Sequence, residues 1–280
     1  MNVDIICPLY NAENYIKKLH NSLLMQEDVK INKIIYAVTV TNDNTLNYLN
    51  ANKCDYVLVD KKDFSHSLTR SNIGLNSDAD IICFITQDVV IDDKFWLKKL
   101  IQPIIDNETV ASYSRQVTKY NNIEKYTRES NYSDKSYIKS KEDISKFKIS
   151  TFFFSDAAGA IKTSVYKELN AYDGKDLPTN EDMYFAYKLI MNNYKIKYCS
   201  DSVVYHSHNF TLKQLYDRYK LTGEFFKENK YLNEYKTNHT GFNLARYVLK
   251  RIIEERRIDL LIRFPFDMGA RYIGMKVGMR

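Results

Sequence analysis

This chain has little of what breaks or staples a fold: 8 Gly, 4 Pro and 4 Cys in 280 residues. So few Gly and Pro argue against long disordered linkers. Cys7, Cys54, Cys83 and Cys199 are widely scattered, and three of them sit inside apolar runs. Their spacing suits neither a zinc site nor a disulfide framework, so they are expected to be small core residues. No uncharged apolar run reaches the roughly 18 residues that a spanning helix needs. The N-terminus MNVDIICPLYN has no basic segment ahead of its apolar stretch, which argues against a signal peptide and makes the cytoplasm the expected compartment. Two glycine-rich phosphate loops are also missing, GxGxxG and GxxxxGKS/T. An α/β protein without them binds a nucleotide another way or binds none, so dehydrogenase and P-loop readings lose their support.

What is present is an ordinary soluble composition, 44% hydrophobic, with a net charge of +6 that is unevenly placed. Residues 210–280 hold 15 Lys or Arg against 8 Asp or Glu, an excess of seven, while the rest of the chain stands at −1. Such asymmetry points to an anionic partner, or else to a solvated helical face.

Strand-like and helix-like segments alternate through the first half. Strands are expected at 3–7, 34–40, 56–59 and 81–85. Helices are expected at 13–25, 43–50, 68–76 and 94–105, the last distorted by Pro103. This alternation argues for a mostly parallel sheet covered on both faces. Residues 117–149 are polar with weak periodicity and read as an irregular insertion or mobile loop. A helix is expected at 181–191, a strand at 196–205 and helices from 209 to the end. The domain reading is 1–208, α/β and catalytic, with 209–280 as a basic helical extension.

The segment CFITQDVVIDD concentrates the chemistry. A buried strand ending at Ile85 would deliver Asp88 to the C-terminal edge of the sheet, where open α/β sheets bind ligands. A carboxylate there can bridge a hard cation to substrate phosphates, or simply start a turn. Around it stand PLYN at 8–11, FSHSLTRSNIG at 64–74, SDAAGA from 155, NED at 180–182 and VYHSH at 204–208.

This succession resembles the family 2 glycosyltransferases of the GT-A fold, and most closely their bacterial rhamnosyltransferase branch, over roughly residues 3–222. The resemblance implies inverting transfer from a nucleotide-sugar to an acceptor hydroxyl. Asp88 matches the second acid of the family's DxD, with Thr86 in place of the first, and it implies a divalent cation, Mg or Mn. His208 matches a late histidine near the metal or diphosphate, whereas His206 reads as strand-end packing. Asp182 matches the catalytic base, with Glu181 beside it as acceptor ligand or orienter, and Asp156 matches an acidic position at the acceptor pocket. Glu181 and Asp182 also suit a helix N-terminus on dipole grounds alone. For the donor, the resemblance implies Pro8, Tyr10 and Asn11 beside the base and ribose. Thr41 and Asp43 stand where relatives carry DDGS, Phe64 and His66 line the pocket, and Gln87 contacts sugar or phosphate. Arg70 and Asn72 match the family's R–N pair, split here by Ser71, so that either Arg70 or Ser71 holds the critical position; a guanidinium suits a diphosphate.

The tail interleaves apolar residues with Arg and Lys, as in YVLKRIIEERRIDLLIRFPF. Such a helix can lie on an anionic membrane surface or pack in a subdomain or homodimer. Nucleic acid is disfavoured because Glu254, Glu255 and Asp259 accompany the cations. The resulting expectation is a rhamnosyltransferase using dTDP-L-rhamnose and a lipid-linked oligosaccharide, peripheral at the inner face of the plasma membrane. A UDP-hexose or UDP-N-acetylhexosamine donor is the alternative. A catalytically silent scaffold is the reading from another class.

Overall fold

The protein is described by a computed structural model covering residues 1–236 and 240–280. In chain order the elements are β1 (Asn2–Leu9), α1 (Ile16–Leu24), β2 (Lys30–Thr39), α2 (Thr45–Ala51), β3 (Asp55–Val59), α3 (His66–Gly74) and β4 (Ile81–Ile85). There follow α4 (Trp96–Ile105), β5 (Ala111–Val117), α5 (Ile123–Asn131), β6 (Tyr137–Lys139), α6 (Ile144–Phe147), β7 (Ala158–Lys162), α7 (Thr163–Glu168) and α8 (Glu181–Met191). The last are β8 (Ile196–Tyr205), α9 (Leu212–Glu228), α10 (Thr240–Glu254) and α11 (Ile258–Gly278).

The eight strands among the described residues join one sheet in the order β3-β2-β1-β4-β7-β5-β8-β6. β1 pairs in parallel with β2 and β4, and β2 with β3, as repeated strand–helix crossovers require. β7 joins antiparallel to β4 and β5, and β6 antiparallel to β8. The sheet is thus parallel through its N-terminal half and mixed beyond it. Every residue of β4 is buried, which is why its sequence IICFI shows no alternation. Ile5, Cys83, Ile85, Ala158 and Ala160 pack with Leu19, Leu97 and Leu100 of the covering helices in the main apolar cluster. Cys7, Cys83 and Cys199 are buried and all four cysteines are free thiols. Pro103 sits in the last turn of α4, which runs on to Ile105.

Two compact units divide the chain. One comprises 1–115, 134–141 and 152–206 and contains nearly the whole sheet. The other comprises 116–133, 142–151 and 207–280. The second unit therefore draws in two stretches of the polar segment 117–149. That segment is more regular than its sequence suggests: α5 carries Ile123 and Tyr126 into a small core with Val248, Ile252 and Leu260. Two apolar contacts on a charged helix are too few to stand out as a periodicity.

Within the second unit, α9 and α11 meet through glycine. A Cβ built at Gly278 would lie 1.9 Å from the Lys220 carbonyl oxygen, and one at Gly274 2.3 Å from that of Tyr216. Beside them Arg271 is buried, its Nε 2.7 Å from Asp267 Oδ1 and its Nη1 2.8 Å from the Tyr219 hydroxyl. No described helix is long and apolar enough to cross a membrane.

Candidate active site

The end of β4 is tied to its surroundings by main-chain bonds. Thr86 N donates to the Ala157 carbonyl at 3.3 Å and Val89 N to the Thr86 carbonyl at 3.3 Å, which closes the TQDV turn. Val90 and Tyr205 then exchange both of their backbone hydrogen bonds, each at 2.9 Å, as a lone antiparallel bridge. That bridge seats the residue after β8 beside the turn. His206 Nε2 stands 3.5 Å from Asp88 Oδ2, both side chains largely sheltered. His206, read from sequence as packing, is therefore the histidine that the first unit brings to Asp88. His208 lies in the second unit, half-buried, its ring 4.7 Å from that of Phe210.

Gln87 is occupied by the first-strand loop. Its Oε1 accepts from Tyr10 N at 2.7 Å and its Nε2 donates to the Tyr10 carbonyl at 2.9 Å. The amide thus holds PLYN in shape, with Asn11 in the left-handed region at φ 48. Pro8 is half-buried, Tyr10 and Asn11 are exposed, and Lys61 stands 5.6 Å from the Tyr10 ring centre. Asp43 is similarly engaged: its carboxylate accepts from the Thr41 hydroxyl at 2.6 Å, the Thr45 hydroxyl at 2.7 Å and Glu13 N at 3.1 Å. Burial alone would raise its pKa, but those bonds outweigh it and hold the carboxyl below its ordinary value. Thr41 and Asp43 are thereby turned on each other at the entry to α2.

Across the sheet edge sits an acidic cluster around one guanidinium. Ser65 caps α3 by accepting from Leu68 N at 3.2 Å, and the first turns of α3 carry Arg70 inward to 2% exposure. Its Nη1 donates to Glu181 Oε1 at 2.9 Å and to the His66 carbonyl at 3.0 Å. Arg70 is therefore committed to the acidic cluster, not presented as an open cation. Asn72 is about 200° further round the helix and exposed, so the geometry does not bring it to Arg70. Phe64 is half-buried against His66, ring centres 5.1 Å apart, with His66 itself exposed.

Glu181 and Asp182 open α8 after Asn180, whose left-handed φ of 59 turns the chain into the helix. Asp182 is half-buried, and its Oδ1 accepts from Met183 N at 2.7 Å. Asp156 is buried and accepts from the Tyr172 hydroxyl at 2.6 Å through Oδ2. Its Oδ1 and the Nε of Arg70 are buried without a hydrogen-bond partner. Three carboxyls share one cation here, and their protonation reflects it. Burial raises Asp156 to about 6, with Arg70 opposing and Glu181 adding to the rise. Burial and then the charges of Glu181 and Asp156 push Asp182 well above the usual carboxylate range. Tyr172 had no sequence signal: among 23 tyrosines no spacing singles it out.

A strand-end carboxylate with a histidine at its side can hold a cation against a diphosphate, and a helix-borne acid of raised pKa can take a proton. A family description, Glycosyl transferase family 2, matches residues 4–169. The chain belongs to glycosyltransferase family 2. It is 34% identical to the O-antigen chain rhamnosyltransferase RfbN of Salmonella typhimurium over 229 residues, covering 80% of this chain and 72% of that protein. It is 28% identical to the O-antigen chain rhamnosyltransferase WbaN of Salmonella anatum, over 98% of this chain and 88% of that one. Among solved structures, the mannosyltransferase PcManGT of Pyrobaculum calidifontis, in complex with GDP-Man and Mn2+, superposes with a TM-score of 0.58 at 13% identity. The match covers 97% of this chain and 73% of that one. That likeness shows the fold alone; the family match and the identity to RfbN make the chain a glycosyltransferase.

Proposed function

We propose that this glycosyltransferase moves L-rhamnose from dTDP-L-rhamnose, with inversion, to a hydroxyl of a lipid-linked oligosaccharide in bacterial surface polysaccharide synthesis. The similarity to RfbN over four fifths of the chain is the observation that carries the sugar and the pathway class. The acceptor reading places the enzyme on the cytoplasmic side of a membrane, with the basic C-terminal region as the contact.

In this reading Asp182 takes the proton of the acceptor hydroxyl as it attacks the anomeric carbon. A carboxyl raised by burial and neighbouring acids is a stronger base than a solvated one. Glu181, fixed by Arg70, orients it, and Asp156, held by Tyr172, borders the acceptor. On the donor side Tyr10, Asn11 and Pro8 form the loop beside the nucleoside. Gln87 contributes by shaping that loop, Thr41 and Asp43 by shaping the turn into α2. Phe64 and His66 flank the donor.

Asp88 and His206 offer one carboxylate oxygen and one imidazole nitrogen, a donor pair that fits Mn better than Mg. His208 follows His206 by two residues, a span of at most about 7 Å, and is the third candidate ligand. A cation held there supplies Lewis-acid neutralisation of the departing diphosphate.

The test is Asp182→Asn. Transfer from dTDP-L-rhamnose should fall by about 10²–10⁴ while dTDP binding, measured calorimetrically, is retained. Turnover like the wild type would remove Asp182 from the base role. Melting shifts with dTDP, UDP and GDP then rank the donors.

A further inference from the structure

The helix α11 turns apolar side chains outward as well as inward. Its buried positions are Leu260, Asp267, Arg271, Gly274 and Gly278, with Phe264 and Met268 packed against the small core, so the face turned into the unit carries an ion pair and two glycines beside its apolar contacts. The outward face carries further apolar side chains: Ile258 is 72% exposed, Ile262 67%, Phe266 61% and Tyr272 65%. Leu261 and Ile273 are exposed beside them, and between Asp259 and Lys276 no exposed residue of the helix is charged. On a helix of 3.6 residues per turn these positions fall in one stripe that runs the element's length. A helix bordering water packs an apolar stripe inward and hydrates a polar outer face. A contiguous apolar stripe left outward marks a surface that meets an apolar phase.

Charge decides which phase. At the first end of the stripe exposed Arg256 is accompanied by exposed Glu254 and Asp259, whereas exposed Lys276 and Arg280 at its far end have no exposed acid of the helix beside them. A second copy docked on this face would bring together two C-terminal regions that each carry an excess of seven positive charges over residues 210–280. An anionic lipid surface instead neutralises that excess while its acyl boundary takes Ile262 and Phe266, with Tyr272 at headgroup depth. We infer that the outward stripe of α11 is a membrane-docking face that inserts shallowly into anionic bilayer interfaces. This deepens the acceptor reading and rests on it for the presence of a membrane, but not for the donor sugar.

The experiment uses the full chain with phosphatidylglycerol-containing and pure phosphatidylcholine vesicles in a flotation assay. Binding to the anionic vesicles should be at least tenfold stronger and should weaken with salt. Ile262→Glu with Phe266→Glu should lose it tenfold or more without a change in Tm. In Phe266→Trp, indole emission should shift blue on anionic vesicles. Absence of flotation, flotation unaffected by the double variant, or a stable dimer that the double variant dissociates would overturn the docking face. Flotation with no transfer from any nucleotide-sugar would leave the face standing and overturn the enzymatic reading.

Discussion

The guanidinium of Arg70 lies 2.9 Å from the carboxylate of Glu181, 111 residues away in sequence, and both are buried. The pair joins the inward face of α3 to the first turn of α8, and so fixes where Asp182 stands. Burial works against the charge on Arg70, but Glu181 and Asp156 outweigh it and raise its pKa.

Breaking that pair from one side should be costly. Arg70→Met leaves Glu181 buried without a cation, and a loss of about 3–5 kcal/mol in chemical denaturation is expected. Adding Glu181→Gln should recover most of it. An additive double variant would mean that the two residues act independently.

Asp156 predicts a pH dependence of stability. Its folded-state pKa is raised from 3.8 to about 6. Across that window the folded chain keeps a proton that the unfolded chain has released, so stability falls as pH rises from about 4 to about 6. Asp156→Asn lacks this titration. The stability difference between variant and wild type should therefore change by roughly 3 kcal/mol across the window, in favour of the variant at the higher pH. A difference that stays constant with pH would contradict the raised value.

Metal dependence should track Asp88 and His206. Chelation is expected to stop transfer and Mn to restore it. His206→Ala should raise the Mn concentration for half-activation by about 10–100-fold, and Asp88→Ala should remove the response. An unchanged Mn titration in His206→Ala would take His206 out of the site.

The α9–α11 approach tolerates no side chain. Gly278→Leu forces atoms against the Lys220 carbonyl, which is backbone and cannot swing away. A loss of about 3 kcal/mol is expected, read in a thermal melt. An unaltered Tm would mean that the helices can part without penalty.

Much of the α/β framework was legible because its period is local. The apolar run of β4 and the spacing of α1 and α4 declare themselves within ten residues, and TQDV at a strand end is a local signal too. The placement of candidate residues was legible where they lie in motifs, as with Asp88 after a strand and Glu181–Asp182 at a helix start. It was not where long-range pairing decides. His206 and His208 look equivalent in VYHSH, and only the Val90–Tyr205 bridge shows which of them the first unit sets beside Asp88. Arg70, Ser71 and Asn72 form one string of letters, and the helix separates them into buried and exposed faces. Gln87 and Asp43 look free to meet a ligand until their partners, 77 and 30 residues distant, are seen. The outward stripe of α11 was hidden for a different reason: apolar residues recur in the sequence regardless of which face is turned outward.

The bridge between Val90 and Tyr205 is made wholly of main-chain atoms. Apart from proline, no single replacement at either position deletes one of its donors. The separation between carboxylate and imidazole is thereby insulated from drift in the side chains that support it. Loops that read different sugars could be exchanged around this point over evolutionary time while the spacing at its centre stays constant.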